Sequence, residues 1–195
     1  IAQQLQEPVV VVCTSGSAVL NYYPAVAEAF YSQIPLVVIS ADRPQNKIDI
    51  GDGQTIRQEN VLENHSLYNA NLREDASAEN DNHIQMALHV AATQKGPVHI
   101  NAPFEEPLYE IVSELKVKPE IIDFNTEEKY FKIEDSTVET WSNATKKLVL
   151  VGELFPNSVQ QKYLDALAND PSVVVLTEKT SNLHHPTFID QIDTL

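Results

Sequence analysis

The chain has 195 residues, 43% of them hydrophobic, enough for one substantial core or for a domain with part of another. A formal charge of −15 and a pI near 4.6 exclude nucleic-acid backbones and anionic membrane surfaces as partners, because both would be repelled. The longest apolar run, residues 9–13, is far too short to cross a bilayer, no segment has a signal-peptide pattern, and one cysteine cannot form an internal disulfide; a globular cytoplasmic protein is the default expectation.

Taken in chain order, VVVVC at 9–13 and LVVIS at 36–40 are continuous apolar runs of strand length, which predicts strands buried on both faces, with Cys13 as a small core residue. Between them, Val19, Leu20, Tyr23, Val26, Ala27 and Phe30 recur at near-helical spacing and predict a helix over 17–32, with Pro24 at a kink or first turn. Ser77 is the expected N-cap of a second helix running to about Gln94, with Ile84, Leu88 and Ala91 on its apolar face. Gly96 and Pro97 stop that helix, and residues 98–101 read as a strand with Pro103 at its exit, giving at least three parallel strands.

From 109 to 137 the periodicity disappears and charge rises, which predicts a linker. Regular α/β alternation then resumes, with a helix near 138–145, a strand at 148–151, a helix at 158–168 and a strand at 173–176. Residues 1–108 therefore read as one parallel α/β domain and 138–195 as the start of a second, Rossmann-like one. The chain opens on Ile1 rather than methionine and stops within an apparently amphipathic stretch, 188–195, so an internal fragment of a longer protein is expected.

The sharpest local feature is TSGSAVLN, residues 14–21, between a strand and a helix. Such a turn puts backbone N–H groups and hydroxyls at the carboxyl edge of a parallel sheet, where open α/β folds bind ligands, although small residues there also serve packing alone. It has no P-loop lysine, its single glycine cannot satisfy the dinucleotide fingerprint, and Ser15 lacks the flanking glycines of a nucleophile elbow.

The second feature is ADRP at 41–44, followed by the turn-rich NKIDIGDGQTIRQ. An arginine at a strand's carboxyl end reaches the same crevice, and its planar fork suits a carboxylate. The alternative for Arg43 is a simple ion pair with Asp42 or Asp49. Gln54, Arg57 and Gln58 extend the polar set, each alone reading as a solvated loop residue.

Together these motifs resemble the pyrimidine-binding domain of thiamine-diphosphate enzymes, and most closely the 2-succinyl-5-enolpyruvyl-6-hydroxy-3-cyclohexene-1-carboxylate synthase family. TSGSAV, NYYPAVAEA, ADRP with GQTIRQ, and VHINAPFEEPLY at 98–109 follow that family in order, and LVLVGE at 148–153 suits the start of its central domain. The resemblance implies an enzyme, a transferase using thiamine diphosphate and Mg2+, that decarboxylates 2-oxoglutarate and adds the succinic semialdehyde unit to isochorismate in menaquinone biosynthesis. It implies Ser15, Gly16 and Ser17 at the cofactor's aminopyrimidine ring, and Arg43 and Gln54 on isochorismate. Gly53 stands where the family often has asparagine, so substrate contacts are expected to differ in detail there. A homodimer or homotetramer is also implied, since the superfamily's site lies between subunits.

The resemblance also implies what these residues do not supply. The family's ring-protonating glutamate would precede Ile1 and its diphosphate-binding domain would follow Leu195, so no catalytic residue is expected in this chain and the chain alone is expected to be inactive. GDG at 51–53 followed by NDN at 80–82 mimics the family's magnesium motif, but neither follows an apolar strand, so no residue is assigned to a metal. His184 and His185 are adjacent and suit a surface loop, and His65, His83, His89 and His99 show no ligand spacing. Two other readings stay open at this stage: a different thiamine-dependent enzyme of the acetolactate synthase or oxoacid decarboxylase type, and a non-catalytic α/β binding module.

Overall fold

The computed structural model of the protein describes residues 1–191 except 107, 110, 112 and 115–131. The chain divides into two compact units, Ile1–Glu128 and Lys129–Leu195. Most of the expected 109–137 linker lies outside the described residues.

In the first unit a short helix α1 (Ala2–Leu5) precedes β1 (Val9–Cys13), followed by α2 (Tyr23–Tyr31), β2 (Leu36–Asp42), β3 (Tyr68–Asn71), α3 (Ala78–Gln94) and β4 (Pro97–Pro103). The four strands form one parallel sheet in the order β1-β2-β4-β3. Its two faces bury different chemistry because side chains alternate along each strand. On one face Val37, Val98, Ile100 and Ala70 pack against Ala87, Val90 and Ala91 of α3. On the other, Val38 packs with Val19, Val26 and Leu62, and partly buried Val11 and Cys13 join them.

The expectation of two buried faces is met by β2 and not by β1. As the first strand of the sheet order, β1 leaves Val10 and Val12 49% and 66% exposed, because α3 covers only the other end of that face. The single helix expected over 17–32 divides in two: Gly16–Tyr22 winds as a tight 3-10 helix and α2 starts at Tyr23. Pro24 accounts for the join, since it has no N–H to bond backward and fits only a first helical turn. Helix α3 runs as expected, with Ser77 Oγ accepting from the backbone N–H of Asn80 at 3.2 Å. Its left-handed end at Lys95 passes to Gly96, where an added Cβ would run into the Leu67 side chain.

Strand β3 was not expected from the sequence. Its four residues, YNAN, contain no apolar run, yet Tyr68, Ala70 and Leu72 alternate onto the α3 face. The pairing of Ala70 with Ile100 and the fit of small Ala70 against Ala87 and Ala91 supply what propensity does not.

In the second unit α4 (Asp135–Asn143), β5 (Lys147–Val151), α5 (Gln161–Asn169) and β6 (Val173–Thr177) give a two-stranded parallel sheet, to which Ile189 adds a single bridge at Leu176. Leu164 of α5 and Val175 of β6 are buried. In the stretch expected to be amphipathic, 188–195, Ile189 makes this bridge directly after a turn closed by the Phe188 N–H on His185 O, and residues 192–195 lie outside the described residues. Lys147 Nζ donates to Ser172 Oγ at 2.8 Å and to Asp170 Oδ2 at 3.2 Å, and the two bonds from Ser172, with that of Lys147, draw the Asp170 carboxyl down to about 2. His185 lies in a loop beside Thr187, its Nδ1 2.9 Å from that hydroxyl.

Candidate functional site

The carboxyl ends of the strands are level, with Cys13, Ser40, Asn101 and Asn71 in one cross-strand row. Everything that follows each strand therefore emerges on one edge of the sheet.

After β1 the chain turns at Ser15 and Gly16, both buried, while Ser17 is exposed. Gly16 has φ +77°, a left-handed conformation costly for any residue with a Cβ. A Cβ there would also lie 3.0 Å from the backbone carbon and oxygen of Gln54. The turn that follows β1 and the loop that carries Gln54 are thus in direct backbone contact, although 38 residues separate them in the sequence (54 − 16). The Gln54 side chain is exposed.

After β2, Asp42 accepts the Arg43 N–H at Oδ1 (2.8 Å) and the Asn101 side-chain N–H at Oδ2 (2.7 Å). The Arg43 guanidinium lies 3.2 Å from Asp52 and 2.7 Å from Glu106, with only 17% of its side chain exposed. These partners differ from the expected Asp42 or Asp49: the Asp42 side chain is taken up by backbone and amide donors, and Asp49 pairs with exposed Arg57 at 3.0 Å. Hydrogen bonds from Arg43 and from the Gly53 N–H hold the Asp52 carboxyl below its usual range. Arg43 Nε is buried with no partner, so one donor of the fork is unspent.

Gln58 overturns the expectation of a solvated loop residue. It is 1% exposed, and its side-chain carbonyl accepts the Gly16 N–H at 3.0 Å. Its amide nitrogen lies 2.7 Å from Ala41 O, 2.8 Å from Asn101 Oδ1 and 3.1 Å from Ser40 Oγ. Ser40 Oγ is in turn 2.7 Å from Nε2 of His99, which is fully buried, and burial pushes that imidazole down to about 4. With the proton of neutral His99 on Nε2, the bonds are mutually consistent: His99 donates to Ser40, Ser40 to Asn101, and Gln58 to Ala41 and Asn101. Only the Nδ1 lone pair is left over, a lesser cost than an orphaned N–H.

Beside Arg43 a cleft of about 550 Å³ opens between the ends of β2, β4 and β3, lined by Asp42, Asn71, Asn101 and Pro103 and rimmed by Arg73, Glu59, Glu74, Asp75 and Glu79. Neither Ser15–Ser17 nor Gln54 lines it. The structure thus brings Gly16 and Gln54 into contact and joins Gly16 to Arg43 through buried amides, while Ser17 and Gln54 present side chains outward. Among the described residues no group of three or more His, Cys, Asp or Glu side chains could hold a metal ion. Asn80, in the NDN stretch, instead bonds the backbone of Arg73 and Asp75 at the start of α3.

A parallel α/β sheet with a small-residue turn at its carboxyl edge defines the class: residues 1–67 match the family profile described as thiamine pyrophosphate enzyme, N-terminal TPP binding domain. Over its whole length the chain is 67% identical to 2-succinyl-5-enolpyruvyl-6-hydroxy-3-cyclohexene-1-carboxylate synthase of Flavobacterium psychrophilum, covering 36% of that protein. It is 65% identical to the synthase of the same name from Flavobacterium johnsoniae, again covering 36% of it, and 38% identical over 96% of the chain to that of Porphyromonas gingivalis, covering 34%. The chain belongs to this synthase family and spans about a third of the length of the curated relatives it matches.

The missing Cβ of Gly16 admits the Gln54 backbone, its N–H is taken by Gln58, and of the turn's three residues Ser17 is the one open at the surface.

Proposed function

We propose that this chain forms the ring-facing and substrate-facing part of a thiamine-diphosphate- and Mg2+-dependent transferase that decarboxylates 2-oxoglutarate and adds the succinic semialdehyde unit to isochorismate, in menaquinone biosynthesis. The observation that carries this reading is the direct contact of Gly16 with the Gln54 loop, together with the hydrogen-bonded link from Gly16 to Arg43. When bound, thiamine diphosphate supplies the electron sink for decarboxylation.

Ser15, Gly16 and Ser17 meet the aminopyrimidine ring. Arg43 and Gln54 hold isochorismate, with the Arg43 guanidinium and the exposed Gln54 amide as donors to its carboxylates. A substrate carboxylate competes most readily for the Arg43 bond to Glu106, whose side chain is 64% exposed and weakly bound for that reason. A planar fork amid so acidic a chain is what lets a dicarboxylate bind at all. The ring-protonating glutamate and the magnesium site come from parts of the whole protein other than these 195 residues. The whole protein works in the cytoplasm as a homodimer or homotetramer.

Turnover tests the reading. The whole protein is expected to consume isochorismate with 2-oxoglutarate and not with pyruvate, and the 195-residue chain alone to consume neither. Pyruvate turnover without isochorismate would support an acetolactate synthase or oxoacid decarboxylase instead, and no turnover by the whole protein with any oxoacid would support a binding module.

A further inference from the structure

A loop glutamine buried to 1% exposure is anomalous, because a primary amide loses its water on burial and regains little unless every donor and acceptor is met. Gln58 meets them all, and only an amide could. Its oxygen takes the Gly16 N–H at 3.0 Å, while its two nitrogen-bound protons point at two acceptors, Ala41 O at 2.7 Å and Asn101 Oδ1 at 2.8 Å. A carboxylate would set oxygen against both acceptors, and a thioether would neither accept the Gly16 N–H in the same way nor donate to Ala41 O and Asn101 Oδ1.

The chain of contacts continues past Gln58. Asn101 donates to Asp42 Oδ2 at 2.7 Å, and Asp42 Oδ1 receives the Arg43 N–H at 2.8 Å. The backbone N–H of Gly16 and that of Arg43 are thereby joined through three side chains, those of Gln58, Asn101 and Asp42, which are 1%, 2% and 5% exposed.

We propose that Gln58 is a positioning residue that fixes the turn at Gly16 relative to Arg43, so that it sets cofactor affinity and isochorismate affinity together while touching neither. The inference rests on the reading above that the turn meets thiamine diphosphate and Arg43 meets isochorismate. Gln58 grips the loop after β1 directly and, through Asn101 and Asp42, the loop after β2.

The test compares Gln58→Met with Leu62→Ala in the whole protein. Leu62 is fully buried against Val38 and takes no part in the amide chain, so its truncation measures destabilisation alone. Gln58→Met is expected to raise both the thiamine diphosphate dissociation constant and the isochorismate KM about tenfold, with the 2-oxoglutarate KM within about twofold, as loss of the hydrogen-bonded link between the two loops predicts. Amide hydrogen exchange at Gly16 and at Arg43 should accelerate together. Leu62→Ala should lower the melting temperature at least as far and leave both constants unchanged. Gln58→Asn, which keeps the amide but shortens its reach, should reproduce the paired rise at smaller size if the methionine variant does not fold. A lowered melting temperature with both constants unchanged, or faster exchange at Gly16 without Arg43, would overturn the proposal. If the wild-type protein bound no thiamine diphosphate, the functional reading would fail, while paired exchange at Gly16 and Arg43 would still establish the positioning role.

Discussion

His99 pairs one polar contact, at Ser40, with complete exclusion from solvent, and the consequence is a stability that depends on pH. Burial lowers its pKa from 6.5 to about 4. As pH falls through 6.5 the unfolded chain takes up a proton that the folded chain refuses, so this contribution is full above 6.5 and is lost progressively as pH falls toward 4. The total is about 3 kcal/mol, of which about 2 kcal/mol goes between pH 7 and pH 5. Urea midpoints at those two pH values should show that loss in the wild type and not in His99→Gln; an equal loss in both would contradict it. Local pattern pointed to Arg43 and Gly16, because each stands directly after an apolar strand, the position where open sheets bind ligands. Gln58 could not be read that way, since its burial arises from groups 17 to 43 residues away in sequence, Ala41 being the nearest and Asn101 the most distant. The available signal was in β4 itself: His99 and Asn101 alternate with Val98 and Ile100, and polar residues at every second place of a buried strand mark a polar inner face.

At the scale of elements, the turn between β1 and the 3-10 helix is the piece whose conformation is most constrained. Gly16→Ala must adopt φ +77° and push its Cβ against the Gln54 backbone at 3.0 Å, backbone against backbone with no flexible side chain to yield. The substitution is expected to destabilise the first unit by about 1–3 kcal/mol and to shift the backbone amide resonances of residues 53–55. Unaltered stability and unaltered resonances would mean that the turn and the Gln54 loop are not packed as described. The long, strongly patterned elements were legible, above all α3 from Ser77 and the paired runs of β1 and β2. Two features were not. Strand β3 is made by its partner rather than by its own composition, and the 17–32 segment has helical spacing throughout yet winds as a 3-10 helix up to the join at Pro24.

For the whole molecule, the charge of −15 makes any site for a dicarboxylate a local exception to the surrounding field. Arg43 supplies that exception at low exposure, whereas Arg57 and Arg73 are 84% and 68% exposed and each engaged by a neighbouring carboxylate. Among the described residues no helix is long and apolar enough to cross a membrane. Alternation of strands and helices was enough to read two α/β units, and the four ordered motifs enough to read the family; the linker expected between the units leaves no periodic pattern to read. The most direct test is steady-state kinetics of Arg43→Ala in the whole protein with isochorismate and 2-oxoglutarate varied in turn. Loss of a charge-assisted bond to isochorismate predicts a rise of about 10- to 100-fold in the isochorismate KM and little change in the 2-oxoglutarate KM. Equal rises for both substrates would contradict the account.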